Sequence, residues 1–164
     1  MNIVKSGMLT AVSFSMLALG MVLPFNTVAL LVLSSFLMMV TVLETGKLYG
    51  LLSFLACGVL AGLLLPDKTI AVCYIAFFGW YAIGKSYLEA MQNRALEWLL
   101  KLLLCNAAAF IVHTLSIYVL RVRFDGISWY VALIILNILF VGYDVLLSYA
   151  VGFYINRLKR MGRN

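Results

Sequence analysis

The sequence predicts an all-α, polytopic membrane protein: a bundle of six transmembrane helices with both termini cytoplasmic. Three observations carry that expectation. Hydrophobic residues make up 65% of the 164-residue chain and charged residues only 11%. A small soluble domain leaves a large part of its surface in water and has no room to hide so much apolar area. The apolar residues also fall in successive runs of bilayer-crossing length, about 17–25 residues each, and the charges gather in the short breaks between runs. The chain therefore reads as a single integral-membrane domain over 1–164.

Taken in order, the first span runs from about Gly7 to Leu23 and stops at Pro24. The second covers about Thr27 to Leu43 and stops at Glu44, and the third about Leu48 to Leu65, stopping at Pro66-Asp67-Lys68. The fourth starts near Thr69 and leaves the membrane near Lys85. The fifth runs from about Leu99 to Leu120, and the sixth from about Ile127 to Ile155. These runs are apolar on every face. Barrel strands would alternate apolar and polar residues, whereas a helix satisfies its own backbone within lipid. The breaks are short, so consecutive helices are expected to be antiparallel neighbours. The least certain division lies between the second and third spans, where Glu44 to Lys47 is the whole hydrophilic break and a re-entrant hairpin is an alternative.

Basic residues set orientation, with the richer side cytoplasmic. With the N-terminus inside, the inner segments carry Lys5, Lys47, Lys85, Arg94, Lys101, Arg157, Lys159, Arg160 and Arg163. The outer segments carry Lys68, Arg121 and Arg123. The net charge of +6 is then a matter of topology, and the basic tail 156–164 is expected to lie beside anionic headgroups rather than on nucleic acid. The expected location is the inner (cytoplasmic) cell membrane, as a multi-pass protein. Lys5 and the apolar run after it resemble a signal peptide, but the run is long and lacks a small-x-small cleavage site, so it reads as a retained first span.

Several chemistries find no support. Cys57, Cys73 and Cys105 all fall inside spans and form no C-x-x-C, which argues against a disulfide framework or a zinc site. No phosphate-binding, hydrolase or metalloprotease motif occurs. A single histidine and six carboxylates, most of them at the membrane surface, offer no paired acids at a shared depth. The chain is expected to be no enzyme and to hold no cofactor and no metal. Its expected surroundings are the lipid bilayer and other membrane subunits.

Polar groups inside lipid are costly and each is a functional candidate. Asp144 lies well inside the sixth span, and Asn137 lies two helical turns earlier on the same face. The fifth span repeats that spacing with Asn106 and His113. If the two helices pack as a hairpin, His113 comes level with Asn137 and Asn106 with Asp144, each to within about 4–5 Å of rise. Two uses remain open. The four side chains, with Trp129 at the outer start of the last span, would line an outward cavity for a small molecule. Alternatively they are hydrogen-bonding glue between helices, with Asp144 paired to Lys101.

Small residues mark possible docking faces. Gly7, Ala11 and Ser15 recur every fourth residue on the first helix. Ser53, Cys57 and Ala61 do the same on the third, beside Gly58 and Gly62. Such rows let backbones approach closely, either inside the bundle or against another subunit. The inner segment Lys85–Lys101 holds Leu88, Met91, Ala95, Trp98 and Leu99 at helical spacing, which predicts an interfacial amphipathic helix or a docking surface. Within it, Glu97 and Lys101 form a favourable i, i+4 pair.

A compact bundle of six short helices with both ends inside resembles the substrate-binding S components of energy-coupling-factor vitamin transporters. In that family small residues at four-residue spacing on the first helix dock the coupling subunit, and Gly7, Ala11 and Ser15 match that spacing. The resemblance implies capture of a vitamin-like molecule near the outer face, driven by energising partner subunits. The first outer loop, Pro24-Phe25-Asn26, is shorter than in the family. The run Leu65-Pro66-Asp67-Lys68-Thr69-Ile70-Ala71, with Phe77 to Tyr81 and Lys85-Ser86, is similar to a group of small uncharacterised membrane proteins of Gram-positive anaerobes. In size and span count the chain also resembles the MreD family of rod-shape-determining membrane scaffolds, which implies assembly without transport.

Overall fold

The computed structural model describes residues 2–118 and 128–161, and every regular element among them is helical. In chain order these are α1 (Asn2–Val22), α2 (Thr27–Thr45), α3 (Lys47–Leu64), α4 (Lys68–Cys73), α5 (Gly79–Leu88), α6 (Arg94–Tyr118) and α7 (Trp129–Met161). A 3-10 turn, Pro24–Asn26, joins α1 to α2, and a π turn, Tyr74–Phe78, joins α4 to α5. The chain divides into two units, Met1–Ile127 and Ser128–Asn164, so that α7 stands as a unit of its own.

Five helices (α1, α2, α3, α6 and α7) are long and apolar enough to cross a membrane. The fourth expected span differs in construction. It is an unbroken helical run from Lys68 to Leu88, but the π turn divides it into shorter pieces. Pi turns shift the hydrogen-bond ladder by one residue and are frequent at functional positions. The Trp80 indole N–H donates to the Ala76 carbonyl at 2.7 Å, adding a side-chain donor where the ladder is displaced. Asp67 starts the run by accepting the Thr69 N–H at 2.9 Å, the usual service of an N-cap carboxylate.

The tight connections have local causes. Thr27 Oγ1 donates to the Gly20 carbonyl at 2.9 Å, folding the start of α2 back on the end of α1 around the 3-10 turn. Between α2 and α3 the whole turn is Gly46, at φ 96° and ψ 167°, a region that side chains other than hydrogen rarely occupy. Just beyond it, a Cβ at Gly50 would stand 2.5 Å from Val42 Cγ2, so glycine is what lets α3 leave so close to α2.

The packing face of α1 uses mostly small and hydroxyl residues. The face that α1 buries is Ser6, Thr10, Ser13, Leu17 and Gly20, and α1 packs on α2 and α3. Lipid is as apolar as leucine, so helices associate through close backbone approach. The buried hydroxyls are mostly satisfied one turn back on their own helices. Thr10 donates to Ser6 O (2.7 Å), Thr41 to Leu37 O (2.9 Å) and Thr45 to Thr41 O (2.7 Å). Large side chains such as Ile3, Leu52, Leu63 and Phe110 point outward. So many large apolar side chains on the outside are what a lipid solvent favours.

One end of this unit collects the charges. Lys5 at the start of α1 meets Glu44 at the end of α2 at 3.3 Å. Lys47, opening α3, sits 3.5 Å over the Tyr87 ring near the end of α5. Lys101 on α6 reaches Glu89, just past α5, at 3.5 Å. The starts of α1, α3 and α6 and the ends of α2 and α5 therefore share one side.

The segment 85–101 corrects an expectation. No separate amphipathic helix lies there. Helix α5 ends at Leu88, residues 89–93 turn, and α6 begins at Arg94. Asn93 decides the break: its side-chain oxygen accepts the Ala95 N–H at 3.1 Å and the Leu96 N–H at 3.4 Å, capping a new helix instead of continuing the old one.

Candidate functional site

Asn106 and His113 lie on α6, two turns apart on an unbroken helix, and both are half-buried. The Asn106 amide donates to the Leu102 carbonyl at 2.8 Å. On α7, the Asn137 amide donates to Leu133 O at 2.8 Å, and the Asp144 carbonyl accepts the Ser148 hydroxyl at 3.0 Å. Both asparagines thus commit one amide hydrogen to their own helix. Trp129 is the first residue of α7, and its side chain lies outside the described residues, as does the expected outer turn, 121–126. The two polar rungs pair residues of one unit with residues of the other, and each unit stands here by itself.

The two small-residue rows have opposite fates. Ser53, Cys57 and Ala61 on α3 are buried in the bundle. Gly7, Ala11 and Ser15 on α1 are all exposed. A Cβ at Gly7 would meet nothing within 4 Å, and Ser15 turns its hydroxyl back onto the Ala11 carbonyl at 2.9 Å. The result is a flat, narrow strip on α1 with its polar atoms satisfied, opposite the Ser6–Thr10–Ser13 face that packs inside.

The charged segment 85–101 folds into a cluster at the α5–α6 elbow whose cross-helix bridge the sequence reading missed. Lys85 is 0% exposed and Lys101 1%, which takes both ammonium groups out of water. Buried charges need close partners. Glu89 Oε1 lies 2.7 Å from Lys85 Nζ and 3.5 Å from Lys101 Nζ, and Glu97 Oε1 lies 2.8 Å from Lys101 Nζ. The Lys101 ammonium also stands 5.3 Å from the centre of the Trp98 ring. One carboxylate thereby ties the end of α5 to the start of α6. The Glu97–Lys101 pair was legible from its spacing. Lys85 and Glu89 have the same spacing, but the bridge from Glu89 to Lys101 exists only once the 89–93 turn has brought two helices together.

A second cluster surrounds the π turn. Tyr74 and Tyr81 are fully buried, Phe77 stacks on Tyr81 with ring centres 4.8 Å apart, and Phe54 of α3 leans on Tyr74 at 6.2 Å. A Cβ at Gly79 would come 2.6 Å from Phe54 Cδ2 and 2.9 Å from Tyr74 Cε1, so the Phe54 ring rests directly on the backbone. The Tyr74 hydroxyl faces the Cys57 thiol, a weak partner, and makes no hydrogen bond of good geometry. Ser13 and Ser34 likewise bury hydroxyls without a protein partner. Cys57, Cys73 and Cys105 are free thiols, and among the described residues no group of His, Cys, Asp and Glu is placed to hold a metal ion.

The chain matches no family model, no curated protein and no solved structure.

Proposed function

We propose that this chain is a multi-pass membrane subunit that works through membrane partners, docking them on the outer strip of α1. The observation that carries the reading is the contrast between two similar rows. The α3 row is consumed by internal packing, while Gly7, Ala11 and Ser15 stay uncovered and smooth. Close helix approach is the main use lipid leaves for such a strip. In the fuller form of the proposal the subunit captures a small hydrophilic, vitamin-like molecule from the outer side, with energising subunits as the partners. His113, Asn106, Asn137, Asp144 and Trp129 are its candidate binding residues. The intramembrane cost of those polar groups supports this use. A non-transporting scaffold of the MreD type is the second reading. It is favoured by Asn106 and Asn137, whose amides already serve their own helices. Neither reading gives the chain catalysis or a cofactor.

The same proposal takes six crossings, with both termini cytoplasmic, in the inner membrane. The unbroken helical run from Lys68 to Leu88 supports a crossing there. The gathering of Lys5, Lys47, Lys85 and Lys101 at one end of the first unit agrees with a basic inner side.

The test is mild detergent extraction from the native membrane, with mass spectrometry of everything that co-elutes. An ATPase and a coupling subunit, or a bound vitamin-like molecule, is the expected recovery. Loss of those partners from a Gly7→Leu, Ala11→Leu variant would locate the contact. Recovery of envelope-synthesis or cytoskeletal proteins with no small molecule would overturn capture and favour the scaffold. For the binding residues, His113→Ala and Asn137→Ala should abolish ligand retention while the bundle stays folded. Loss of stability alone would make them interhelical glue.

A further inference from the structure

A groove of about 420 Å³ runs along the outer side of α3, lined by Phe54, Leu55, Gly58, Val59, Gly62 and Leu63, with Ile75 of the π turn as its far wall. No polar side chain lines it. Its floor is made by two glycines. A Cβ at Gly58 would just touch Ile75 Cγ1 at 3.4 Å, and one at Gly62 would meet nothing within 4 Å. From Phe54 to Leu63 the helix rises about 13 Å, close to the hydrocarbon depth of one leaflet.

A lysine is held at the Gly62 end of the groove. Lys68 Nζ donates to the Gly62 carbonyl at 2.7 Å and to the Leu65 carbonyl at 2.8 Å, which fixes the ammonium at the end of α3 beside a residue that lines the groove. A lysine ammonium has three donors, and these two carbonyls take two. Asp67, next in the chain, is exposed, and its Oδ1 accepts one backbone N–H. A fixed cation thus sits beside the Gly62 end of the groove, with the exposed Asp67 next to it in the chain, at the end of the unit opposite the Lys5–Glu44 pair.

We propose that this groove is a binding site for one bilayer phospholipid with a zwitterionic, amine-bearing headgroup. One acyl chain lies along Gly58 and Gly62, the phosphate takes the third donor of Lys68, and the headgroup ammonium faces Asp67. Charge complementarity selects this occupant. A partner helix seated on the glycines would fill the channel but make no use of the Lys68 and Asp67 charges near its end. A phospholipid answers both, and the fully apolar lining suits a hydrocarbon chain. The inference is independent of the docking strip on α1, which lies on another helix.

The test uses the full-length protein in nanodiscs of phosphatidylethanolamine, a fraction of it carrying a photoactivatable diazirine in the acyl chain. Cross-links are expected to concentrate on 54–63 and on Ile75. Gly62→Leu fills the channel where there is open space, so it should keep the elution profile and thermal midpoint of the wild type. Its cross-linking at these positions should fall about tenfold or more. Lys68→Gln leaves the channel intact and should weaken retention of phosphatidylethanolamine in native mass spectrometry by about tenfold, the usual loss of a charge-assisted hydrogen bond. Cross-links spread evenly over the apolar surface would mean annular lipid only. Absence of lipid cross-links at 54–63, with a second copy of the chain retained in native mass spectrometry, would mean that a helix occupies the groove. Unchanged retention in Lys68→Gln would mean no headgroup site. Each of these outcomes overturns the proposal.

Discussion

Gly79 offers the sharpest test of how the α3–π-turn contact is built. Alanine there places a Cβ 2.6 and 2.7 Å from two carbons of the Phe54 ring and 2.9 Å from the Tyr74 ring. Tyr74 is fully buried and has nowhere to withdraw, so Phe54, which is half-buried, must yield. Overpacking of this kind costs about 1–3 kcal/mol. Replacing a helical glycine by alanine returns up to about 1 kcal/mol of propensity. The expected net effect of Gly79→Ala is a destabilisation of about 1–2 kcal/mol. Gly62→Ala is the internal control, because its Cβ meets nothing within 4 Å and only the propensity gain remains. Both variants would be compared with the wild type by reversible unfolding in mixed micelles of mild detergent and dodecyl sulfate. Phe54→Leu in the Gly79→Ala background should recover part of the loss, a non-additivity expected only of touching residues. If Gly79→Ala unfolds no more easily than Gly62→Ala, or if the two substitutions at 54 and 79 simply add, the ring does not rest on the backbone and the reasoning fails.

Three further outcomes follow from other contacts. Gly46→Ala forces a side chain into φ 96°, ψ 167° and should cost about 1–3 kcal/mol in the same assay; a neutral result would mean that the α2–α3 turn relaxes freely. Lys101→Met removes a buried ammonium and leaves Glu97 without its 2.8 Å partner. Breaking a buried pair costs about 3–5 kcal/mol, and the lower end is expected because Glu89 keeps its 2.7 Å contact with Lys85, leaving Glu97, 14% exposed, as the carboxylate that loses its close partner. A second substitution, Glu97→Gln, should restore part of that loss, and a failure to do so would show that the pair is not the cause. Tyr74→Phe removes a hydroxyl that lacks a good partner, so stability should change by no more than about 1 kcal/mol in either direction. A larger loss would reveal a hydrogen bond or bound water that holds this hydroxyl.

Much of the helix inventory was legible because hydropathy is a local, additive property. The runs ending at Pro24, Glu44 and Pro66 became α1, α2 and α3 with ends shifted by at most a few residues. Helix α7 likewise follows its apolar run, although it starts at Trp129 and continues to Met161. The π turn was not legible. The residues Tyr74–Phe78 read as ordinary apolar helix, and their displaced ladder follows from how Phe54, Gly79 and Tyr81 pack together. The segment 85–101 was misread for a different reason. Its apolar spacing was helical throughout, but Asn93 caps a new helix through the Ala95 and Leu96 N–H groups, a local signal that hydrophobic spacing does not carry.

The candidate sites divide in the same way. Sequence alone determined that Gly7, Ala11 and Ser15 share a helix face, as do Ser53, Cys57 and Ala61, since that is set by 3.6 residues per turn. Only the tertiary structure decided which row is buried and which is left outward, because both satisfy the same local rule and differ only in their neighbours. Sequence placed Lys85 and Lys101 in one charged segment between two apolar runs. The fold alone decided that both ammonium groups are buried and share Glu89. A charge's partner is fixed by distance in space, and spacing along the chain reports that distance only within a single helix.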